Sequence, residues 1–155
     1  MPTGKSVTVP ELQLSEFLPF RLNRLAAAVS EHLSVIYRDR FGLEIPEWRV
    51  LVTIGRHSGC TAQQIVQSTR MHKTRVSRAV AALRQRALLE SAPSTQDGRE
   101  LHLRLTPAGR RIYASLVPLA LARESELLAC LGASQRIALL RGIEVLESSL
   151  GLERE

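Results

Sequence analysis

The sequence predicts a mainly α-helical fold with one small β-hairpin, and three observations carry that prediction. Apolar residues recur at three- and four-residue spacing along most of the 155 positions. Strict alternation occurs once, where Leu101, Leu103 and Leu105 are separated by His102 and Arg104. Between these regimes, residues 61–78 (TAQQIVQSTRMHKTRVSR) read as two short helices joined by a tight break. Hydrophobic residues make up 45% of the chain, enough for a core and far from a disordered composition.

Residues 1–14 are polar and interrupted by proline, and read as a loose leader. From Ser15 onward, Leu18, Leu22, Leu25, Val29, Leu33 and Ile36 keep helical spacing. Pro19 falls in the first turn, where its missing amide costs little, and Gly42 ends the helix. Pro46 opens a second helix through Trp48, Leu51, Val52 and Ile54, which stops at His57, Ser58 and Gly59. Thr61 and Gln64 stand in the S/T-x-x-E/Q relation of a capping box, which satisfies two free amide donors at the start of a third helix. Ile65 and Val66 give that helix an apolar side, and Ser68, Thr69 and Arg70 break the pattern.

A fourth helix follows, apolar at Val76, Val80 and Leu83 with Ala79 and Ala82 alongside. Its other face carries Lys73, Thr74, Arg75, Ser77 and Arg78, the hydroxyls and guanidinium groups that read base edges and grip phosphates. Two short helices with a small turn, the second basic and hydroxylated, look like a helix-turn-helix with its recognition helix. The plainer alternative is an ordinary solvated helix pair. Leu88 and Leu89 then lead through Ser91, Ala92 and Pro93 into a polar turn at residues 94–98, and the alternating leucines return as the second strand. Thr106 followed by Pro107 starts a further helix through Ile112, Leu116, Leu119, Leu127 and Leu131, bent at Pro118 and closed by Gly132. A last helix from about Ser134 runs through Ile137, Leu140, Ile143 and Leu146 to Gly151.

Charge concentrates in the middle of this order. Residues 49–111 hold 12 basic and three acidic groups, a net of +9, against −1 for residues 1–48 and −2 for residues 112–155. A basic segment between mildly acidic ends is the footprint of nucleic-acid binding. Aromatic residues are only 4%, which disfavours single-strand binding by stacking and leaves double-stranded DNA as the expected partner. No charged-then-apolar leader or long apolar run is present, so the expected location is the cytoplasm and no membrane partner is expected. Cys60 and Cys130 match no metal spacing, and His32, His57, His72 and His102 form no cluster. No metal, cofactor or catalytic constellation is expected, and the chain does not read as an enzyme.

The element order resembles the MarR family of winged helix-turn-helix transcriptional regulators over roughly residues 15–150. The marks are Trp48 with Leu51, the run from Gly59 to Ala62, Val76-Ser77-Arg78, and Leu83 through Leu88-Leu89. More specific are Asp97-Gly98-Arg99 and the sequel Leu103-x-Leu105-Thr106-x-x-Gly109. The resemblance implies a leader at 1–14, an N-terminal dimerisation helix at 15–45, a winged DNA-binding lobe at 46–106 and C-terminal dimerisation helices at 107–151. It implies a homodimer on a pseudo-palindromic operator, most often as a repressor, released by a small-molecule effector.

Residues are assigned accordingly. Thr61, Gln64, His72, Lys73, Thr74, Arg75, Ser77, Arg78 and Arg84 are DNA-contact candidates, with Asp97 orienting Arg99 at the wing tip toward a minor groove. Arg86 reads as a phosphate contact or a solvated group. Many family members have Asp where His72 stands; a cationic His there opposes the helix macrodipole, or else faces a phosphate. Family effectors are often aromatic acids, and Phe17, Arg21, Trp48 and Arg49 are candidates to stack a ring and pair a carboxylate. The alternatives are redox regulation through Cys60 or Cys130, and a winged-helix module that docks on protein.

Overall fold

The computed structural model describes residues 11–57, 59–93 and 101–152. Six helices and one hairpin follow in the order α1 (Leu18–Phe41), α2 (Ile45–Arg56), α3 (Ala62–Thr69), α4 (Lys73–Gln85), β1 (Leu89–Pro93), β2 (Leu101–Leu105), α5 (Pro107–Leu128) and α6 (Ala133–Ser149). The chain divides into two compact units, with the boundary between His32 and Leu33 inside α1.

In the first unit, Pro19 lies in the first turn of α1, where no intrahelical donor is lost. Its apolar residues Leu12, Leu14, Phe17, Leu18, Phe20, Leu22 and Leu25 are all exposed. In the second unit the core is aliphatic: Leu43, Val50, Leu51, Ile54, Ile65, Val76, Leu83 and Leu116 are closed to solvent. Helix α2 is its hub and packs on α3, α4, α5 and β2. Two glycines allow close approach. A Cβ at Gly55 would meet the Tyr113 ring at 2.3 Å, and one at Gly109 would meet the Leu88 carbonyl oxygen at 2.2 Å. Tight packing at these crossings therefore requires glycine.

Strands β1 and β2 pair antiparallel, with Leu89 opposite Leu105 and Ser91 opposite Leu103. Leu103 and Leu105 are buried while His102 and Arg104 are half-buried, the alternation expected of one covered face. Cys60, in the loop before α3, adds a rung: its N–H donates to Leu103 O at 3.2 Å and its carbonyl accepts from Leu103 N at 2.8 Å. The loop that starts the helix-turn-helix is thus stitched to the hairpin.

Two boundaries differ from the sequence expectation. Ser68 and Thr69 remain helical, and the break between α3 and α4 falls on Arg70, held left-handed at φ 53°. Gly132 does not close α5, which ends at Leu128; it precedes α6, where Gln135 Oε1 accepts the Gly132 N–H at 2.9 Å. A Gln three residues past a flexible glycine makes a helix start as readily as a stop. Among the described residues, no helix is long and apolar enough to cross a membrane.

Candidate nucleic-acid interface

The interface is built around α4, and both ends of that helix are fixed by local hydrogen bonds. At its start, the His72 Nδ1 accepts the Thr74 N–H at 3.3 Å. The His72 side chain thus caps the start of the helix through that contact. At its end, Leu88 N donates to Leu83 O at 2.9 Å and Ala87 N to Arg84 O at 2.8 Å. Ala87 is left-handed at φ 55°, and Leu83 and Leu88 are both buried. That is the 6→1 and 5→2 pairing of a Schellman motif, closed by its hydrophobic contact.

Between these ends the helix divides by periodicity. Val76, Ala79 and Leu83 are buried; Lys73, Thr74, Arg75, Ser77, Arg78 and Arg84 are exposed. Lys73, Arg75, Arg78 and Arg84 form no ion pair with another described residue, so among the described residues nothing neutralises these four cations on one short helix. Such a surface attracts polyanions. Thr74 and Arg78 lie one turn apart on the side opposite the core, where a groove-binding helix places its base-reading groups.

Thr61 and Gln64 serve the scaffold. Thr61 Oγ1 accepts the Gln64 N–H at 3.2 Å, and Gln64 Oε1 accepts the Thr61 N–H at 2.8 Å, the reciprocal box expected from their spacing. Thr61 is 8% exposed, so its hydroxyl is committed to the cap, while Gln64 lies exposed on α3. Asp97 and Arg99 lie outside the described residues.

Arg86 has a role in the scaffold that its sequence position did not suggest. Its Nη1 donates to Gly42 O at 2.8 Å and its Nη2 to Phe41 O at 2.6 Å, with Glu47 Oε2 at 3.9 Å. The α1 carbonyls left without intrahelical donors are satisfied by a planar fork from α4. Sequence spacing does not reveal this, because 44 and 45 residues separate the partners.

Of the four effector candidates, Phe17 and Arg21 are exposed in the first unit. In the second unit Trp48 stacks on Tyr37 with ring centroids 5.0 Å apart, and Arg49 is half-buried beside it in α2. The Trp48 Nε1 is buried and has no hydrogen-bond partner among the described residues. Cys60 is buried and Cys130 exposed. Among the described residues, no group of three His, Cys, Asp or Glu side chains is arranged to hold a metal.

Comparison with known proteins places this geometry. Residues 41–100 match the sequence signature of the MarR family. The transcriptional repressor IacR of Pseudomonas putida is 22% identical over 99 residues, which cover 64% of this chain and 59% of that protein. The matched region thus spans less than two thirds of that relative. A MarR/EmrR family transcriptional regulator from Acinetobacter sp. ADP1 superposes with a TM-score of 0.81 at 24% identity, covering 92% of this chain and all of that one. BpsR of Bordetella bronchiseptica, whose DNA binding is regulated by 6-hydroxynicotinic acid, superposes with a TM-score of 0.77 at 21% identity, covering 89% and 98% of the two chains. Six helices with a two-stranded antiparallel hairpin are the fold shared with these winged-helix structures.

Proposed function

We propose that the chain is a transcriptional regulator of the MarR kind, whose signature residues 41–100 match, and that it binds a pseudo-palindromic double-stranded operator as a homodimer, represses transcription there, and is released by a small aromatic carboxylate. The observation that carries the DNA reading is the α4 surface: four exposed cations with Thr74 and Ser77 among them, on a helix capped at both ends. Lys73, Arg75 and Arg84 grip phosphates in this reading, and Arg78 reads a base edge. His72, Thr61 and Gln64 hold the helix ends at the DNA surface. Asp97 and Arg99 enter from the family resemblance, as the wing that reaches the minor groove. The working compartment is then the cytoplasm.

Fluorescence anisotropy on operator and random duplexes across a salt series tests this reading. Affinity should fall with salt as phosphate contacts release counterions, and one sequence should bind at least about a thousandfold more tightly than random DNA. Arg78→Ala should cut that discrimination by about 1–3 kcal/mol, while Lys73→Ala should weaken all duplexes alike. Equal affinity for all duplexes, or none, would favour a winged-helix module that docks on protein instead.

The effector reading is supported by Trp48. A buried indole N–H without a partner among the described residues is an uncommon cost, and a carboxylate oxygen would satisfy it. Arg49 on the next position supplies positive charge, and Phe17 and Arg21 enter through the family resemblance. BpsR, which responds to a pyridine carboxylate, is similar in fold. A thermal-shift screen of hydroxybenzoates and pyridine carboxylates, followed by operator release, tests it. Trp48→Phe and Arg49→Ala should weaken any hit, and unchanged affinity would exclude this site. Release on oxidation, abolished by Cys60→Ser or Cys130→Ser, would favour a redox signal.

A further inference from the structure

We propose that Arg70 and Arg86 are a pair of struts, one at each end of α4, that tie the recognition helix to the ends of α6 and α1. Both are positioning residues, and neither has to touch DNA. They flank the helix Lys73–Gln85, Arg70 in the turn before it and Arg86 at its C-cap. Arg86 grips the Phe41 and Gly42 carbonyls where α1 ends. Arg70 Nη2 donates to the Gly151 carbonyl just past the end of α6, at 3.4 Å and across 81 residues. That bond is long, but its donor is charged and it lies at the negative end of the α6 dipole.

Backbone conformation supports the Arg70 contact independently. Arg70 follows α3 in the left-handed region, at φ 53° and ψ 18°. A residue with a Cβ is strained there and glycine is not, so an arginine at this position points to a task for its side chain. The turn itself does not need that side chain. Thr69 Oγ1 donates to Ile65 O at 2.6 Å and accepts the Met71 N–H at 3.4 Å, while Met71 is buried. The guanidinium is left to reach α6. Gly151 is left-handed too, at φ 65°, and a Cβ there would meet nothing within 4 Å. Glycine serves the chain reversal at this point, not close packing. The Leu152 N–H donates to Glu147 O at 2.8 Å, which closes the reversal and fixes the carbonyl that Arg70 meets.

The consequence rests on the proposed binding of a two-fold operator through α4. Two recognition helices must enter grooves about 34 Å apart. Helix α6 buries no residue within the single chain and is expected to meet the second copy, so a tie from α4 to α6 reaches the subunit contact. A recognition helix held at both ends keeps its place relative to that contact, whereas one held at a single end can turn. Arg70 therefore sets how strictly half-site spacing is read.

Arg70→Gly, Arg70→Ala and Arg70→Lys test this in the full-length protein. Fluorescence anisotropy compares the preferred operator, versions with one base pair added or removed between half-sites, and a random duplex. One base pair moves a half-site by about 3.4 Å along the axis, so the parent should discriminate against it. Arg70→Gly and Arg70→Ala should each bind the operator about fivefold more weakly and lose most of the spacing discrimination. Arg70→Lys should recover both, since one ammonium donor can reach one carbonyl. Arg70→Gly should melt above Arg70→Ala, because glycine relieves the turn, yet recognise DNA no better. Loss of a phosphate contact would instead weaken all duplexes alike and lower the salt slope by about one. That pattern, or a spacing preference equal to the parent's, would overturn the assignment. Hydrogen exchange reads the tie without DNA: the Leu150, Gly151 and Leu152 amides should exchange about fivefold faster in Arg70→Gly. Unchanged exchange at those amides would also overturn it. If the parent binds no duplex while those amides quicken, the strut stands and the DNA reading falls.

Discussion

Arg86 and Ala87 are neighbours whose roles are set by different forces. The guanidinium of Arg86 is fixed because the end of α1 presents two carbonyls at the separation of its fork, 2.8 and 2.6 Å from its nitrogens. Removing it strands those acceptors near the surface, where water replaces part of the loss; the side chain is 38% exposed. Arg86→Ala should therefore lower the unfolding free energy by about 1–2 kcal/mol, read from a urea midpoint. Arg86→Lys should recover only part of that, since an ammonium cannot bridge both carbonyls in one plane. A midpoint unchanged in Arg86→Ala would show that the fork contributes nothing. Ala87 is constrained by its backbone instead, with φ at 55°. Glycine adopts that conformation without a Cβ clash, so Ala87→Gly should stabilise the protein by up to about 1 kcal/mol in the same assay.

For the elements, the ends matter more than the middles. Helix α4 begins on an imidazole cap at 3.3 Å, a long bond from an acceptor that protonation removes. His72→Asp supplies a permanent acceptor and a negative charge at the positive end of the helix dipole. It should raise stability by about 0.5–1 kcal/mol at neutral pH, measured by thermal or denaturant melts. The same change places an anion beside the phosphate-gripping face, so operator affinity should fall while stability rises. Parallel losses of both would mean that His72 holds the helix in a way the cap does not capture. Helix α5 contains Pro118 away from its first turn, which removes one ladder bond and allows the bend expected from sequence.

At the scale of the whole molecule, apolar surface is left over. No residue of α6 is buried, and Ile137, Val145 and Leu150 are 52%, 69% and 71% exposed. Leu18, Leu22 and Leu25 of α1 are also exposed. A chain that leaves this much apolar side chain uncovered is expected to bury it against a second copy, which a two-fold operator also requires. Sedimentation at micromolar concentration should give twice the 17.2 kDa chain mass, and Ile143→Glu should shift it toward the monomer and weaken operator binding with it. A parent protein that sediments only at the chain mass would remove the homodimer from the proposed function.

Much of this was legible in the residues themselves. Period and punctuation are local properties, so the helix order, the Thr61–Gln64 box, the Thr106–Pro107 start and the Leu103–Leu105 alternation were determined by neighbours within a few positions. The exposed row on α4 followed from the same arithmetic, because its buried side could be counted in threes and fours. Tertiary structure alone decided what distant groups do to one another. It took Arg86 for the end of α1, seated Tyr37 on Trp48, and opened a cleft beside Ser91. These depend on side chains that core packing brings together from different elements, and no spacing rule reaches that far.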